Sequence, residues 1–240
     1  MKIAVISDIH GNAVALDAVL TDIREKDVDH IVVLGDIAYR GPEPQRSIEL
    51  VRSLDATVIK GNADEWIVRG VNQGEVPDQV LNLMNQERDW AVRHLDQASI
   101  DYLENLSSTL AWNKNKMDIY AFHATPTSLF DVVLPDVTVD TIKEKFIDNY
   151  DADIYLYGHI HLPYIRQVEG KTIIDTGSVG LPFDGIPKAS YAMIELSDHN
   201  ISTSIERVNY NIEKTIQAYE TGNYPNTEMM TKILRTARNA

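Results

Sequence analysis

The chain has 240 residues, of which 44% are hydrophobic, so it is long enough and apolar enough to bury a substantial core. Its 36 acidic residues outnumber its 22 basic residues, and the formal net charge of -14 argues against a general nucleic-acid-binding protein because it repels polyphosphate backbones. The chain contains no cysteine, which excludes disulfides and thiolate metal sites and leaves carboxylate, imidazole and amide groups as metal ligands.

The first part of the chain alternates between buried strands and amphipathic helices. Apolar runs without a polar face predict three central strands, each followed by a glycine or a carboxylate, at residues 2–7, 30–34 and 57–60. Residues 13–26 carry apolar side chains on one helical face, and Pro44 fits the first turn of a second helix that ends near Leu54. This alternation predicts a mainly parallel sheet.

The pattern changes in the middle of the chain. From Glu65 to about Leu106 no strand is evident and apolar residues recur at helical spacing, which predicts a helical insert packed on or over the functional site. Trp66, Trp90 and Tyr102 in this insert are interpreted as core residues, with stacking on a nucleobase as the alternative.

The second part of the chain adds strands, two hairpins and two closing helices. The expected elements are strands starting at Asp118 and Asp153, a helix at 139–149, hairpins at 164–175 and 189–208, and helices at 212–219 and 227–237. The hairpins turn at Gly170 and at residues 198–200 and make this half antiparallel or mixed. No repeat or linker divides the chain, so residues 1–240 are expected to form a single domain.

The N-terminal stretch contains one lysine and then only a strand-length apolar run that is closed by Asp8. A run of this length and flanking charge is neither a signal peptide nor a membrane anchor. We therefore expect a cytoplasmic protein without membrane association. The oligomeric state stays open at this point.

Polar side chains that can bind metal recur where the predicted strands end. In chain order they are Asp8, His10, Asp36, Asn62, His123, His159 and His161. Ligands of open α/β sheets lie beyond the carboxyl ends of the strands, which is where these side chains stand. Such donors suit divalent Mn, Fe, Ni or Zn, and one bridging carboxylate would allow a two-metal site. The other histidines, His30, His94 and His199, have polar or charged neighbours and are interpreted as surface residues.

Five short motifs resemble those of the calcineurin-like metallophosphoesterases. They are Asp8-Ile-His10, Gly35-Asp36 with Arg40-Gly41 downstream, Gly61-Asn62 followed by Asp64-Glu65, His123 after a strand, and Gly158-His159-Ile-His161. The motifs stand in the family's order over residues 8–161, and the glycine turn at 177–180 is similar to that of small bacterial members. The resemblance implies an α/β fold in which two mixed β-sheets pack as a sandwich flanked by helices, with a dinuclear metal centre.

The resemblance also implies a role for each strand-end residue. Asp8, His10 and His161 would hold one divalent ion, Asn62, His123 and His159 the other, and Asp36 would bridge them, with manganese expected first and iron, nickel or zinc as alternatives. A hydroxide bridging the ions would attack phosphorus in line. Asp36, Asn62 and Arg40 are the expected catalytic residues. Arg40 would act as a phosphate clamp, although its side chain could equally pair with Asp64 or Glu65.

Two positions depart from the family pattern. Ala63 stands where many family phosphatases have a histidine that assists the leaving group, so the general acid is missing or replaced and good leaving groups are expected. Tyr39 replaces an acidic residue common in protein phosphatases, which argues against a protein substrate. The turn at 177–180 is either a phosphate cradle of backbone amides or a tight connection between hairpins.

These features predict a metal-dependent hydrolase of phosphoester or phosphoanhydride bonds. Small relatives with this motif spelling include general phosphodiesterases and hydrolases of dinucleoside polyphosphates, so a small nucleotide-derived diester or anhydride is the leading substrate class. Two alternatives remain: a broad-specificity phosphomonoesterase, and a non-catalytic scaffold of the same fold that binds protein partners.

Overall fold

The computed structural model describes residues 1–197 and 200–238 of the chain. The strands are β1 (Lys2–Ile6), β2 (His30–Val33), β3 (Ala56–Val58), β4 (Thr109–Lys114), β5 (Met117–Phe122), β6 (Ile154–Tyr157), β7 (Tyr164–Val168), β8 (Lys171–Asp175), β9 (Ala189–Ser197) and β10 (Asn200–Val208). The helices are α1 (Ala13–Glu25), α2 (Pro44–Arg52), α3 (Asn62–Arg69), α4 (Asp78–Arg93), α5 (Gln97–Glu104), α6 (Val139–Lys145), α7 (Ile212–Thr221) and α8 (Thr227–Thr236). Within the described residues, no helix combines the length and apolar character needed to span a membrane.

The strands form two mixed five-stranded sheets. The first has the order β10-β9-β1-β2-β3, in which β1, β2 and β3 are parallel and β9 and β10 are antiparallel additions. The second has the order β4-β5-β6-β8-β7, in which β5, β6 and β8 are parallel and the two edge strands are antiparallel. The predicted α/β architecture of two mixed sheets is therefore confirmed.

The two sheets pack face to face, and helices cover the outer face of each. Strand β1 shows how the sequence encodes this arrangement, because its side chains alternate between two cores. Ile3 and Val5 face the apolar layer between the sheets, whereas Ala4 and Ile6 face the helices outside the first sheet. Each fully buried isoleucine or valine side chain contributes about 1.5–3 kcal/mol. An apolar run without a polar face is thus the mark of a strand covered on both sides.

Helices α3, α4 and α5 occupy the stretch in which the sequence predicts a helical insert, residues 65–106. They pack on the outer face of the first sheet together with α1, α2, α7 and α8. Trp66 and Trp90 are buried in that layer, as predicted. Tyr102 is half-buried, and the Arg52 guanidinium lies 5.4 Å from its ring centroid.

Several element boundaries differ from the sequence prediction. Strand β4 was not predicted, because it is a partly exposed edge strand paired only with β5, and its alternation is broken by polar residues. The helix predicted at 139–149 is interrupted at Phe146, which is buried in the outer core of the second sheet, and continues only as a 3-10 turn. The β7–β8 hairpin turns at Glu169 and Gly170, both left-handed. Residues 198 and 199 of the second hairpin, including His199, lie outside the described residues.

Candidate metal centre

The seven metal-binding candidates from the strand ends lie together at one edge of the sandwich. Backbone bonds tie the loops after β1 and β2, since Asp8 N donates to Gly35 O at 3.1 Å and His10 N donates to Asp36 O at 2.8 Å. Gly35 is required there, because its φ is +93° and an added Cβ would lie 2.2 Å from Gly61 N. We call the seven metal-binding candidates the floor; they are Asp8, His10, Asp36, Asn62, His123, His159 and His161.

One group of floor residues consists of Asp8, His10 and His161. His161 Nε2 lies 3.1 Å from Asp8 Oδ1 and 3.1 Å from His10 Nε2. His10 Nε2 lies 3.7 Å from Asp8 Oδ1. All three side chains are buried, and each offers one atom to a common point that could hold a metal ion.

A second group consists of Asn62, His123 and His159. Asn62 Oδ1 lies 2.9 Å from His123 Nε2 and 2.8 Å from His159 Nδ1. The carboxylate of Asp36 stands between the two groups, with Oδ2 at 3.4 Å from His123 Nε2 and 3.7 Å from His10 Nε2. The structure thus brings all seven predicted residues into two adjacent sets with one carboxylate between them.

Backbone carbonyls orient three of the imidazoles. The Nδ1 atoms lie within hydrogen-bond distance of carbonyl oxygens: His10 at 2.9 Å from Tyr39 O, His123 at 2.7 Å from Leu34 O and His161 at 2.5 Å from Leu181 O. Because a carbonyl only accepts, the hydrogen of each neutral ring is on Nδ1. In the neutral form of each ring the lone pair on Nε2 then faces the floor, which is the orientation of metal-ligating histidines.

The charge states of two floor imidazoles also suit a cation. Burial lowers the pKa of His10 to about 4, and the neighbouring His161 adds to this effect. Burial likewise lowers the pKa of His159 to about 4, with a contribution from His123. Both rings are therefore neutral near pH 7, the form in which imidazole binds metal.

The two carboxyl groups of the floor remain ionised although they are buried. Burial opposes ionisation of Asp8, but the imidazole of His161 outweighs it and holds the pKa of Asp8 below its usual range. Burial opposes ionisation of Asp36 in the same way, and His123 outweighs it. Burial alone would lower the pKa of His123, but the charge of Asp36 raises it to about 9. Two anionic oxygens thus face a cluster of imidazoles.

An unpartnered oxygen shows that the floor fits a metal ion. Asp8 Oδ2 accepts a hydrogen bond from His159 N at 3.0 Å, but the buried Oδ1 has no hydrogen-bond partner. Oδ1 instead lies 3.1 Å from Nε2 of His161, an atom that has no hydrogen when the ring is neutral and its Nδ1 donates to a carbonyl. Two lone pairs at this distance repel each other unless a proton or a metal ion lies between them. The donor set of carboxylate, imidazole and amide oxygen suits divalent transition metals.

The backbone of the site is unusually strained. Among the described non-glycine residues, the site residues with positive φ are Asp8 (55°), His10 (47°), Asp36 (56°), Arg40 (69°), His159 (70°) and His161 (59°). Left-handed backbone costs an ordinary L-residue about 1–2 kcal/mol. Such strain persists only where the surrounding structure enforces it, and it concentrates at functional sites.

The floor opens into a cavity of about 150 Å³. We call five other side chains that line it the wall; they are Tyr39, Arg40, Trp66, Met84 and Phe183. Ala63 also lines the cavity, so no imidazole stands at the position where many family phosphatases have one. Phe183 stacks on the floor residue His161 with ring centroids 4.3 Å apart. Sequence reasoning did not single out Met84 or Phe183, because lone apolar residues carry no chemical signature.

Arg40 lines the cavity but pairs with neither acid that the sequence offered. Glu65 instead pairs with Lys60 and Arg69, at 3.2 and 3.0 Å. The partner of Arg40 is Glu87 of helix α4, whose Oε2 lies 3.4 Å from Arg40 Nε. Sequence reasoning missed Glu87, since an acid in an amphipathic helix is usually solvated.

Asp64 supports the floor from below. Its carboxylate accepts hydrogen bonds from the backbone amides of Asp36, Ile37 and Gly61 at 2.8 to 2.9 Å. Burial, followed by the nearby charge of Asp36, raises the pKa of Asp64 to about 7. Asp64 therefore fixes the loop that presents Asp36 and the turn that starts helix α3 at Asn62.

The glycine turn at 177–180 is a connection and not a phosphate cradle. Val179 N and Gly180 N donate to the carbonyls of Ser7 and Asp8, both at 3.0 Å. Ser178 Oγ also donates to Asp8 O, at 2.6 Å. A Cβ on Gly180 would lie 1.8 Å from Ile9 O. The turn therefore uses its amides to fasten the loop that carries Asp8.

The two packed mixed sheets and the buried carboxylate and imidazole cluster define a protein with the metallophosphoesterase fold. The chain belongs to the calcineurin-like phosphoesterase superfamily, whose domain model matches residues 1–199. The resemblance noted in the sequence motifs is thereby confirmed.

Relatives of the chain are found among archaea and bacteria. It is 32% identical over 239 residues to the uncharacterized protein MJ0912 of Methanocaldococcus jannaschii, covering 91% of this chain and 90% of that protein. It is 25% identical over 198 residues to phosphodiesterase YfcE of Escherichia coli, covering 81% of this chain and 88% of that protein. The crystal structure of a metallophosphoesterase from Sphaerobacter thermophilus superposes with a TM-score of 0.80 at 28% identity, covering 99% of both chains.

Proposed function

We propose that this protein is a phosphodiesterase that depends on two divalent metal ions and hydrolyses a small nucleotide-derived diester or anhydride. The observation that carries the proposal is the convergence of seven metal-binding side chains, five of which line a cavity that is also lined by an arginine. When bound, two divalent ions would supply Lewis-acid activation of water and neutralise the phosphoryl oxygens. Family membership and the similarity to phosphodiesterase YfcE support this reaction class.

The floor residues would bind the two ions in two separate groups. Asp8, His10 and His161 would hold one, Asn62, His123 and His159 the other, with Asp36 between them. Two divalent ions against two carboxylates leave roughly +2 at the site, so an anionic substrate is attracted in spite of the acidic surface. Manganese is our first choice among the ions that these donors suit.

The wall determines how a substrate lies over the floor. Arg40 would bind a non-bridging phosphoryl oxygen, since a guanidinium matches phosphate geometry. Trp66, Met84 and Phe183 offer apolar contact area to the organic part of the ester. Ala63 provides no proton for the leaving group, and the hydroxyl of Tyr39 already donates to Met84 O at 2.9 Å. The proposal therefore favours esters whose leaving group departs without protonation.

The test is hydrolysis of bis(p-nitrophenyl) phosphate by chelator-stripped protein before and after addition of manganese, with p-nitrophenyl phosphate alongside. We expect turnover only with metal and a preference for the diester. A series of aryl diesters with graded leaving-group pKa should then show a steep fall in rate as that pKa rises. Dinucleoside polyphosphates and cyclic nucleotides are the substrates to screen next.

The other outcomes identify the alternatives. A preference for p-nitrophenyl phosphate would indicate a phosphomonoesterase, and a flat leaving-group series would show that another group supplies the proton. Absence of turnover on esters and nucleotides, with two metal ions bound, would contradict the enzyme and favour the protein-binding scaffold.

A further inference from the structure

Arg40 sits in an enclosed environment that leaves its hydrogen-bond donors almost unused. Its side chain is 20% exposed and lines the cavity. A guanidinium has five N–H donors. Among the described residues, the only hydrogen-bond acceptor of this guanidinium is the weakly accepting Sδ of Met230, at 3.8 Å from Nη2, and the buried Nε has no hydrogen-bond partner. A buried cation with free donors beside a cavity is poised for an anion.

The counter-charge of Arg40 is supplied from deep inside the helical layer. Glu87 is 1% exposed, and its Oε2 lies 3.4 Å from Arg40 Nε. Burial alone would lower the pKa of Arg40, but Glu87 and, after it, the hydroxyls of nearby tyrosines together outweigh burial, so the pKa lies above its usual value. At this distance the carboxylate attracts the guanidinium without consuming its donors.

Glu87 is held in turn by the C-terminal helix pair. Asn226, the residue that precedes helix α8, donates from Nδ2 to Glu87 Oε1 at 3.0 Å. The hydroxyl of Tyr219, in helix α7, donates to Arg40 O at 2.5 Å and stabilises the left-handed backbone of that residue. Trp90 Nε1 donates to Gly222 O at 3.0 Å and joins the insert to the same pair. These contacts involve residues beyond the 1–199 stretch that the family model matches.

We propose that Glu87 is a positioning residue: anchored by Asn226, it holds the Arg40 guanidinium beside the cavity with its donors free for a phosphoryl oxygen. The helical insert and the C-terminal helix pair thereby build the phosphate-binding edge of the site. This inference rests on the proposed function, because it assigns the anion that Arg40 binds to the substrate phosphate.

The experiment measures orthophosphate binding and ester hydrolysis by the full-length, manganese-loaded protein. The test variant is Glu87→Gln, which keeps the shape and removes the charge. The matched control is Glu65→Gln, a glutamate of the same helical layer that pairs with Lys60 and Arg69. We expect Glu87→Gln to weaken orthophosphate affinity in calorimetry and to raise KM for bis(p-nitrophenyl) phosphate, each by about tenfold, as for weakening a charge-assisted hydrogen bond. Glu65→Gln should change neither by more than about twofold.

A double-variant cycle separates positioning from general stabilisation. In an Arg40→Met background, Glu87→Gln should change orthophosphate affinity by less than about twofold, because the guanidinium through which it acts is gone. A loss that persists in that background overturns the proposal, and so does a Glu87→Gln variant that binds orthophosphate as the Glu65→Gln control does.

The Asn226→Ala variant tests the proposal if Glu87→Gln does not fold, and the comparison of orthophosphate binding with ester hydrolysis separates this proposal from the proposed function. If thermal unfolding shows that Glu87→Gln does not fold, Asn226→Ala tests the same chain of contacts, with a smaller loss of orthophosphate affinity that disappears in the Arg40→Met background. Unchanged affinity in Asn226→Ala then overturns the inference. If the wild type binds orthophosphate, responds to Glu87→Gln and hydrolyses no ester, the positioning role stands and the proposed function fails.

Discussion

The floor and the wall of the cavity are built in opposite ways. Floor residues follow strands that run to the same edge, and backbone carbonyls and each other's side chains hold them. Wall residues come from loops and helices and contact residues that are distant in the sequence, as Arg40 pairs with Glu87. The sheets therefore position the metal-binding side chains, whereas the helical layer positions most of the wall.

Asp36→Asn should have the largest effect of the floor variants. It keeps the volume of the side chain and removes the charge between the Asp8 group and the Asn62 group of metal-binding residues. We expect diesterase activity to fall by about 10³-fold or more, as for groups that stabilise charge at a reacting centre. Steady-state kinetics with added manganese measure the loss. Asp89→Asn, at an exposed carboxylate of helix α4, is the control. Activity within tenfold of wild type in Asp36→Asn would contradict the assignment of the floor.

Metal removal should destabilise the folded protein, because it removes ions that only the floor residues bind. A ligand at 100 times its Kd stabilises the folded state by about 2.7 kcal/mol. For a chain of this size that corresponds to a rise in Tm of about 5–10 °C. Thermal unfolding of chelator-stripped protein with and without manganese measures this shift, and Asp36→Asn should reduce it. A Tm that manganese, zinc, iron and nickel all leave unchanged would argue against a metal centre.

Arg40→Met breaks the wall and leaves the floor complete. We expect kcat/KM for the diester to fall about 10- to 100-fold, because a hydrogen bond to a charged group contributes about 1.5–3 kcal/mol. Arg40→Lys should be intermediate, since an ammonium cannot form the two parallel bonds of a guanidinium. The manganese-induced rise in Tm should be the same as in wild type. An Arg40→Met variant with the wild-type kcat/KM would show that Arg40 does not bind the substrate.

Of these variants, Phe183→Ala should change the kinetics least, and it should change the preference between diesters with large and small ester groups. We expect KM for bis(p-nitrophenyl) phosphate to rise about 3- to 10-fold, as for loss of one aromatic contact. Methyl p-nitrophenyl phosphate has the same leaving group and a small second ester group, so its KM should change less. Equal changes for both diesters would show that Phe183 acts through the stacked His161 and not through the substrate.

The floor could be predicted from the sequence because few residues determine it. Parallel strands end at a common edge, so a carboxylate or imidazole at each end predicts a shared site without knowledge of the packing. Local signals sufficed for most neighbouring elements as well, such as Pro44 at the start of α2 and Gly170 in the β7–β8 turn.

The wall could not be predicted, because it depends on which distant surfaces meet. Arg40 and Glu87 are 47 positions apart, whereas Asp64 and Glu65 lie nearer in the sequence and are used elsewhere. The edge strand β4 was missed for a related reason, since its pairing with β5 compensates for a weak pattern of its own. Asn226 and Tyr219 gain their roles only once α7 and α8 fold back on the insert.

Six site residues have a left-handed backbone, in which the side chains that the site needs are less stable than glycine would be. Stability and function therefore place opposite demands on these positions. A glycine at any of these positions would relieve about 1–2 kcal/mol of steric cost while deleting a floor side chain or Arg40. Selection for thermal resistance and selection for turnover would therefore favour different amino acids at the same codons. A library screened for heat tolerance alone should accumulate glycine or asparagine there and lose catalysis, whereas a library screened for activity should retain the original residues.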